Sequence, residues 1–255
     1  MNVRARCAGV IAAVGVVLLA GCSSAPSEDA PTSSVSATHA EASGQSGAPV
    51  TSTSAGPATV STPSPGPATA IVSVVAVNAS GQPSDGFTVT TPDPFGALDC
   101  KYAQPSRSAN TPGIYSGCGA SADSADVCWA PGNNTLLCAS DPWQRTLRRY
   151  TVTPPLTPVA RTDSPEPWAL ELADGRHCRI RVGGAWGGRS DGLVGAYSCT
   201  GGNDVVLQPS NARTAIDTSS STWQVAVGPL GSGNPDFPPP PQVAVRTAYF
   251  AATAG

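Results

Sequence analysis

Aromatic side chains are scarce, with four Phe, five Tyr and five Trp in 255 residues, and there is a single Met. So little bulky apolar volume excludes a deep core and leaves Val, Leu and Ala to fill a thin one. Charge is scarce as well, at 12% of residues, and 14 basic against 17 acidic side chains give a net charge of −3. A nucleic-acid surface needs a basic excess to release counterions, so no nucleic-acid partner is expected. No apolar run reaches the roughly 20 residues of a membrane-spanning helix. There are only two histidines, and no Cys-x-x-Cys pair, Walker loop or dinucleotide fingerprint occurs. Asp123 and Asp126 lack the dense oxygen-ligand spacing of a calcium loop. No cofactor and no metal is therefore expected. What is plentiful is turn-forming residues, 27 Gly and 26 Pro, together with eight Cys.

The chain divides into three parts by texture: 1–21, 22–70 and 71–255. Two arginines lie within the first six residues, and a 13-residue apolar run follows from Ala8 to Ala20. That length suits the apolar region of a signal peptide and is too short to span a bilayer. The run ends in Leu19-Ala20-Gly21-Cys22. This tetrapeptide resembles the lipobox of bacterial lipoproteins. The resemblance implies a diacylglyceryl thioether on the Cys22 sulfur, cleavage before Cys22 and N-acylation of the new terminus. Two or three acyl chains, at about 0.8 kcal/mol per buried methylene, would hold the protein on a membrane.

Residues 23–70 contain 12 Ser, 7 Thr, 7 Pro, 10 Ala and 4 Gly, or 40 of 48 positions. Such a segment cannot bury enough apolar surface to offset the entropy of ordering, and it reads as a disordered linker. As a coil it would span about 40 Å, and as polyproline II about 150 Å. From Ile71 onward short Val-rich runs alternate with turn residues: Ile71–Val77, Phe87–Thr90, Ala97–Tyr102, Trp168–Leu172, Arg176–Val182, Leu193–Cys199, Val205–Leu207, Trp223–Val227 and Val243–Phe250. This pattern predicts an all-β domain, an antiparallel sandwich or open barrel. Trp143–Arg149 is the one helical candidate. Asn234–Gln242, with Pro238 to Pro241, reads as a stiff loop into the last strand.

One hairpin can be placed in register. A two-residue turn at Asp174-Gly175 would mix the apolar and polar faces of its strands. A three-residue loop, Ala173-Asp174-Gly175 with Gly175 in the left-handed region, instead opposes Leu170 to Cys178 and Trp168 to Ile180. It leaves His177, Arg179 and Arg181 on the outer face, with Glu171 across from His177.

Setting aside Cys7 in the leader and Cys22 at the lipobox leaves Cys100, Cys118, Cys128, Cys138, Cys178 and Cys199. An even number in an exported chain with a thin core predicts three disulfides. Cys178 and Cys199 occupy inward positions flanking one Gly-rich loop and are expected to pair. The other four are expected to pair among themselves. Cys128 would face Cys138 across a turn at Gly132-Asn133-Asn134, although crossed pairings stay open.

Three surfaces are candidates for chemistry. Gly188-Arg189-Ser190-Asp191-Gly192 fits the G-x-S-x-G pattern of a hydrolase nucleophile elbow, yet a strand-like segment follows it and no His comes after Ser190. The glycine-rich loop 183–192 offers Trp186 to stack on a sugar, with Arg189 and Asp191 as polar handles; its plainer reading is a hairpin loop capping the core. Arg145, Arg148, Arg149, Arg179 and Arg181 would make a basic patch, or simply a solvated sheet face.

The lipobox, the linker composition and the ratio of 13 Arg to one Lys together resemble exported lipoproteins of high-GC actinobacteria, of mycobacterial type. Trp168–Thr200 is similar to uncharacterised secreted domains of the same group. The resemblance implies a lipid-anchored domain on the outer face of the cell membrane. The expected function is non-catalytic binding of a cell-wall glycan or protein partner. The alternatives are a cell-wall hydrolase using the 183–192 loop and a structural surface protein.

Overall fold

The computed structural model describes residues 66–84, 86–90, 97–119, 127–132, 134–181, 187–231 and 237–255. Most of the linker, the signal segment with Cys22, and Asp123 and Asp126 lie outside them. The described residues form fifteen strands and no α-helix. In chain order they are β1 (Ala70–Val74), β2 (Thr88–Thr90), β3 (Leu98–Asp99), β4 (Gln104–Pro105), β5 (Ile114–Ser116), β6 (Cys128–Gly132), β7 (Thr135–Ala139), β8 (Thr146–Thr153), β9 (Ala169–Leu172), β10 (His177–Ile180), β11 (Leu193–Cys199), β12 (Asp204–Pro209), β13 (Ile216–Asp217), β14 (Gln224–Pro229) and β15 (Gln242–Ala251).

The later strands close on themselves. Neighbours run β9-β10-β11-β12-β14-β15, every pair antiparallel, and β15 returns to β9. The result is a six-stranded barrel, closed where the sequence pattern allowed a sandwich or an open barrel. Closure rests on β15, whose ten residues are long enough to pair with β14 at Gln242–Ala244 and with β9 at Val245–Tyr249. Two strands are appended to it. β13 adds to β14, and β1 pairs in parallel with the second half of β15.

The earlier strands make a second sheet in the order β2-β8-β7-β6-β5-β4, with β3 also on β8. Alternation along β5 to β8 buries both faces of this sheet. Ile114, Trp129, Leu137, Ala139 and Leu147 join the barrel side chains Trp168, Leu170, Ile180 and Phe250 in one core. Trp129 and Trp168 meet edge to face with centroids 6.1 Å apart, and Trp129 Nε1 donates to the Ala252 carbonyl at 2.8 Å. On the opposite face Tyr115, Leu136, Tyr150 and Val152 pack around Cys100, Cys118, Cys128 and Cys138 as a separate small core.

Three disulfides form: Cys100–Cys118, Cys128–Cys138 and Cys178–Cys199. Cys178 lies opposite Cys199, and Cys128 opposite Cys138. The β6–β7 connection is tighter than a three-residue turn, since Gly132 pairs with Thr135 and a bulge between Trp129 and Gly132 restores the cysteine register.

The β9–β10 hairpin has the expected register. Leu170 opposes Cys178, Glu171 opposes His177, and Gly175 takes φ 88° in the three-residue loop. Ordered contacts begin before Ile71. Thr222 Oγ1 donates to the carbonyls of Gly66 and Pro67, and Thr69 N donates to the Ser221 carbonyl at 2.9 Å.

The helix expected at Trp143–Arg149 is absent, because this stretch holds one tight turn and then strand β8. Asp141 does cap like a helix start, its Oδ1 accepting from the N–H groups of Trp143 and Gln144 at 3.0 and 2.8 Å. Arg145 then takes φ 50°, which ends the turn, and the β-branched Thr151-Val152-Thr153 favour extended backbone.

Candidate functional site

Where the two sheets adjoin on the outer face of β10, a cleft of about 330 Å³ opens, lined by Asp141, Trp143, Gln144, His177, Arg179 and the Ser198–Thr200 segment. The buried Asp141 carboxylate pins the Trp143 turn from below. The indole stacks on the His177 imidazole at 4.3 Å with planes 6° apart, and meets the Tyr249 ring edge to face at 6.0 Å. Offset and perpendicular ring contacts of this kind hold an aromatic wall in one orientation. Trp143 Nε1 is buried and has no hydrogen-bond acceptor among the described residues. A buried donor left in that state costs about 1–3 kcal/mol.

The floor is rigid. The Cys178–Cys199 disulfide ties β10 to β11 at the cleft, the Thr200 N–H donates to the His177 carbonyl at 2.9 Å, and Thr200 Oγ1 accepts from His177 N at 3.1 Å. Glu171 lies across from His177 as expected, but its carboxylate is held elsewhere. It accepts from Arg246 Nη1 at 2.9 Å, Thr247 Oγ1 at 3.3 Å and Tyr249 Oη at 3.5 Å. The exposed Arg179 supplies the cleft's cation and donates to the Ser140 carbonyl at 3.5 Å.

The residues singled out in loop 183–192 are placed differently. Trp186 lies outside the described residues. Arg189 faces inward, its side chain only 1% exposed. It donates to Asp191 at 2.7 Å and to the Pro238 carbonyl at 3.1 Å, and its guanidinium stacks 4.7 Å from the Phe237 ring. That guanidinium braces the loop against the Pro238–Pro241 segment instead of serving as a polar handle for a ligand. Its hydrogen bonds hold the Asp191 carboxyl below the usual range.

Ser190 is exposed just before β11, whereas His177 lies beside the strand's other end at Cys199 and Thr200. A strand of that length spans about 20 Å, so the two do not form a nucleophile–base pair. Arg148 and Arg149 are exposed on β8, and Arg179 is exposed on β10, where it belongs to the cleft.

Sequence reasoning missed Trp143 and Asp141. The available signal was Ser-Asp-Pro-Trp, in which a capping Asp and a Pro mark a turn that presents the Trp. Compared with known protein families, curated proteins and solved structures, the chain matches none of them.

Proposed function

We propose that this chain is a cell-surface lipoprotein whose all-β domain binds an envelope component without catalysis. Cysteine usage carries this reading. Three disulfides account for six of the eight cysteines and are characteristic of an oxidising compartment, and of the remaining two, Cys22 is the one that ends Leu19-Ala20-Gly21-Cys22. Acylation at Cys22 would tether the linker, and the linker would hold the domain away from the bilayer.

The Trp143–His177 cleft is the binding site in this reading. An aromatic wall, a cation at Arg179, an amide at Gln144 and a hydroxyl at Thr200 suit a hydroxyl-rich ligand such as a wall glycan. The wide separation of Ser190 and His177 supports binding over hydrolysis.

Two measurements test the proposal. Labelled fatty acid should enter the wild-type chain and not Cys22→Ala, with the label mapping to the residue-22 peptide; equal labelling would overturn the anchor. Binding to purified wall glycan should weaken at least tenfold in Arg179→Ala, which removes the exposed cation of the cleft, while stability of the free protein changes by less than about 1 kcal/mol. Unchanged glycan binding would remove the cleft from the function.

A further inference from the structure

The chain as a whole carries a net charge of −3, yet the face of β10 that lines the cleft is positive. His177 and Arg179 occupy its outward positions, and the next residue of that phase, Arg181, adds a second guanidinium. Burial lowers Arg181 to about 10, so it is still protonated at neutral pH. Directly across from Arg179 on the two neighbouring strands are Ala169 and Ser198, neither of them acidic.

The carboxylates of this region are committed elsewhere. Glu171, across from His177, is paired with Arg246 at 2.9 Å. Asp174 and Asp204 both hold Arg176. Asp141 is buried, and its Oδ1 accepts the N–H groups of Trp143 and Gln144, so its charge is held at the turn. Arg179 has no carboxylate partner among the described residues. One of its N–H groups donates to the Ser140 carbonyl at 3.5 Å, and the rest of the guanidinium fork faces the cleft open.

The hydrogen-bond roles around it agree with the charge. Thr200 Oγ1 already accepts from His177 N at 3.1 Å, which leaves its own hydroxyl hydrogen to donate. Ser198 is exposed beside Arg179 with a second hydroxyl, and the exposed Gln144 adds an amide from the Trp143 turn. The surface presents positive charge and donors to whatever enters.

We infer that the cleft takes an anionic sugar, one bearing a carboxylate or a phosphate, and that Arg179 with the Ser198 and Thr200 hydroxyls forms its anion subsite. This rests on the cleft being the glycan site and adds the charge that the glycan must carry. The planar guanidinium fork suits two oxygens of either anion, and the hydroxyls donate to the remaining lone pairs. The sugar ring then lies toward the Trp143–His177 stack. A neutral sugar leaves the guanidinium without a counter-charge, so the site discriminates by charge as well as by shape.

The test is equilibrium binding of the full chain to purified wall glycan in three forms: native, with its carboxylates reduced to alcohols, and with its phosphate esters hydrolysed. At low ionic strength one of the two treatments should weaken binding at least tenfold, and that treatment identifies the anion. Raising the salt to about 1 M, where screening acts within about 3 Å, should shrink the difference. Arg179→Gln should bind native and treated glycan alike, and Arg179→Lys, which keeps the charge but not the fork, should recover part of the difference. Arg149→Gln removes an exposed cation of β8 outside the cleft and should keep all of it. The three native disulfides should map correctly in each variant. Equal binding of all three forms would overturn the inference and leave the glycan reading standing, whereas failure of native glycan to bind would overturn both. A difference that survives Arg179→Gln, or is lost equally in Arg149→Gln, would also overturn the inference, because the anion would then be held elsewhere.

Discussion

The barrel and the second sheet solve the same problem with different means. Both must hold together with few large side chains. The barrel closes, so β9 to β12, β14 and β15 satisfy one another's backbone groups, and one disulfide, Cys178–Cys199, suffices. The second sheet stays open, is built partly from two- and three-residue strands, and carries two disulfides between residues 100 and 138. Covalent links appear where backbone closure does not. By loop length alone the three bridges would contribute similar amounts, about 3 kcal/mol each, so any difference in their effects reports what else holds each region.

The largest expected effect sharpens that contrast. Replacing Cys100, Cys118, Cys128 and Cys138 with Ala should cost about 6 kcal/mol and unfold the second sheet, while replacing Cys178 and Cys199 should cost about 3 kcal/mol and leave both sheets cooperative. Hydrogen exchange resolved by segment would check this, and equal loss of protection in both regions would break the comparison.

Next is Arg189→Ala. It removes a buried side chain that ties the loop before β11 to the segment before β15, and should cost about 3 kcal/mol in urea unfolding. A cost under about 1 kcal/mol would show that the guanidinium is not the brace.

Gly175→Ala should cost about 1 kcal/mol, because φ 88° strains an L-residue although the space around the new methyl is open. A neutral result would mean that the hairpin can change its turn.

The smallest effect is on acid stability. The Asp191 carboxyl is held below its ordinary value, mainly by hydrogen bonds from Arg189, so its contribution is complete above that ordinary value and is lost as pH falls through the lowered one. Melting temperature measured from pH 5 to pH 2 should fall less steeply in Asp191→Asn than in the wild type.

The barrel was also the more legible half. β10 alternates, with Cys178 and Ile180 buried and Arg179 exposed, and the expected run Leu193–Cys199 coincides with β11. Leu170, Cys178 and Ile180 identified the hairpin register because a one-residue slip would turn Cys178 and its neighbours outward. The second sheet was harder to read. β4 and β5 are too short to show a period, and β8 follows a capped turn that imitates a helix start. Trp143 was hidden for that reason, although Asp141-Pro142 already marked the turn.

Sequence alone determined the all-β class, the thin core, the β9–β10 register and the Cys178–Cys199 pairing, because the core follows from composition and the others from alternation within a few dozen neighbouring residues. Only the tertiary structure decided the closure of β15 on β9 and β14, the parallel seat of β1, the burial of Arg189 and the stacking of Trp143 on His177. Each of these joins distant segments by backbone pairing or ring contact. Such contacts are available to many strands and side chains, and only the packed whole selects among them.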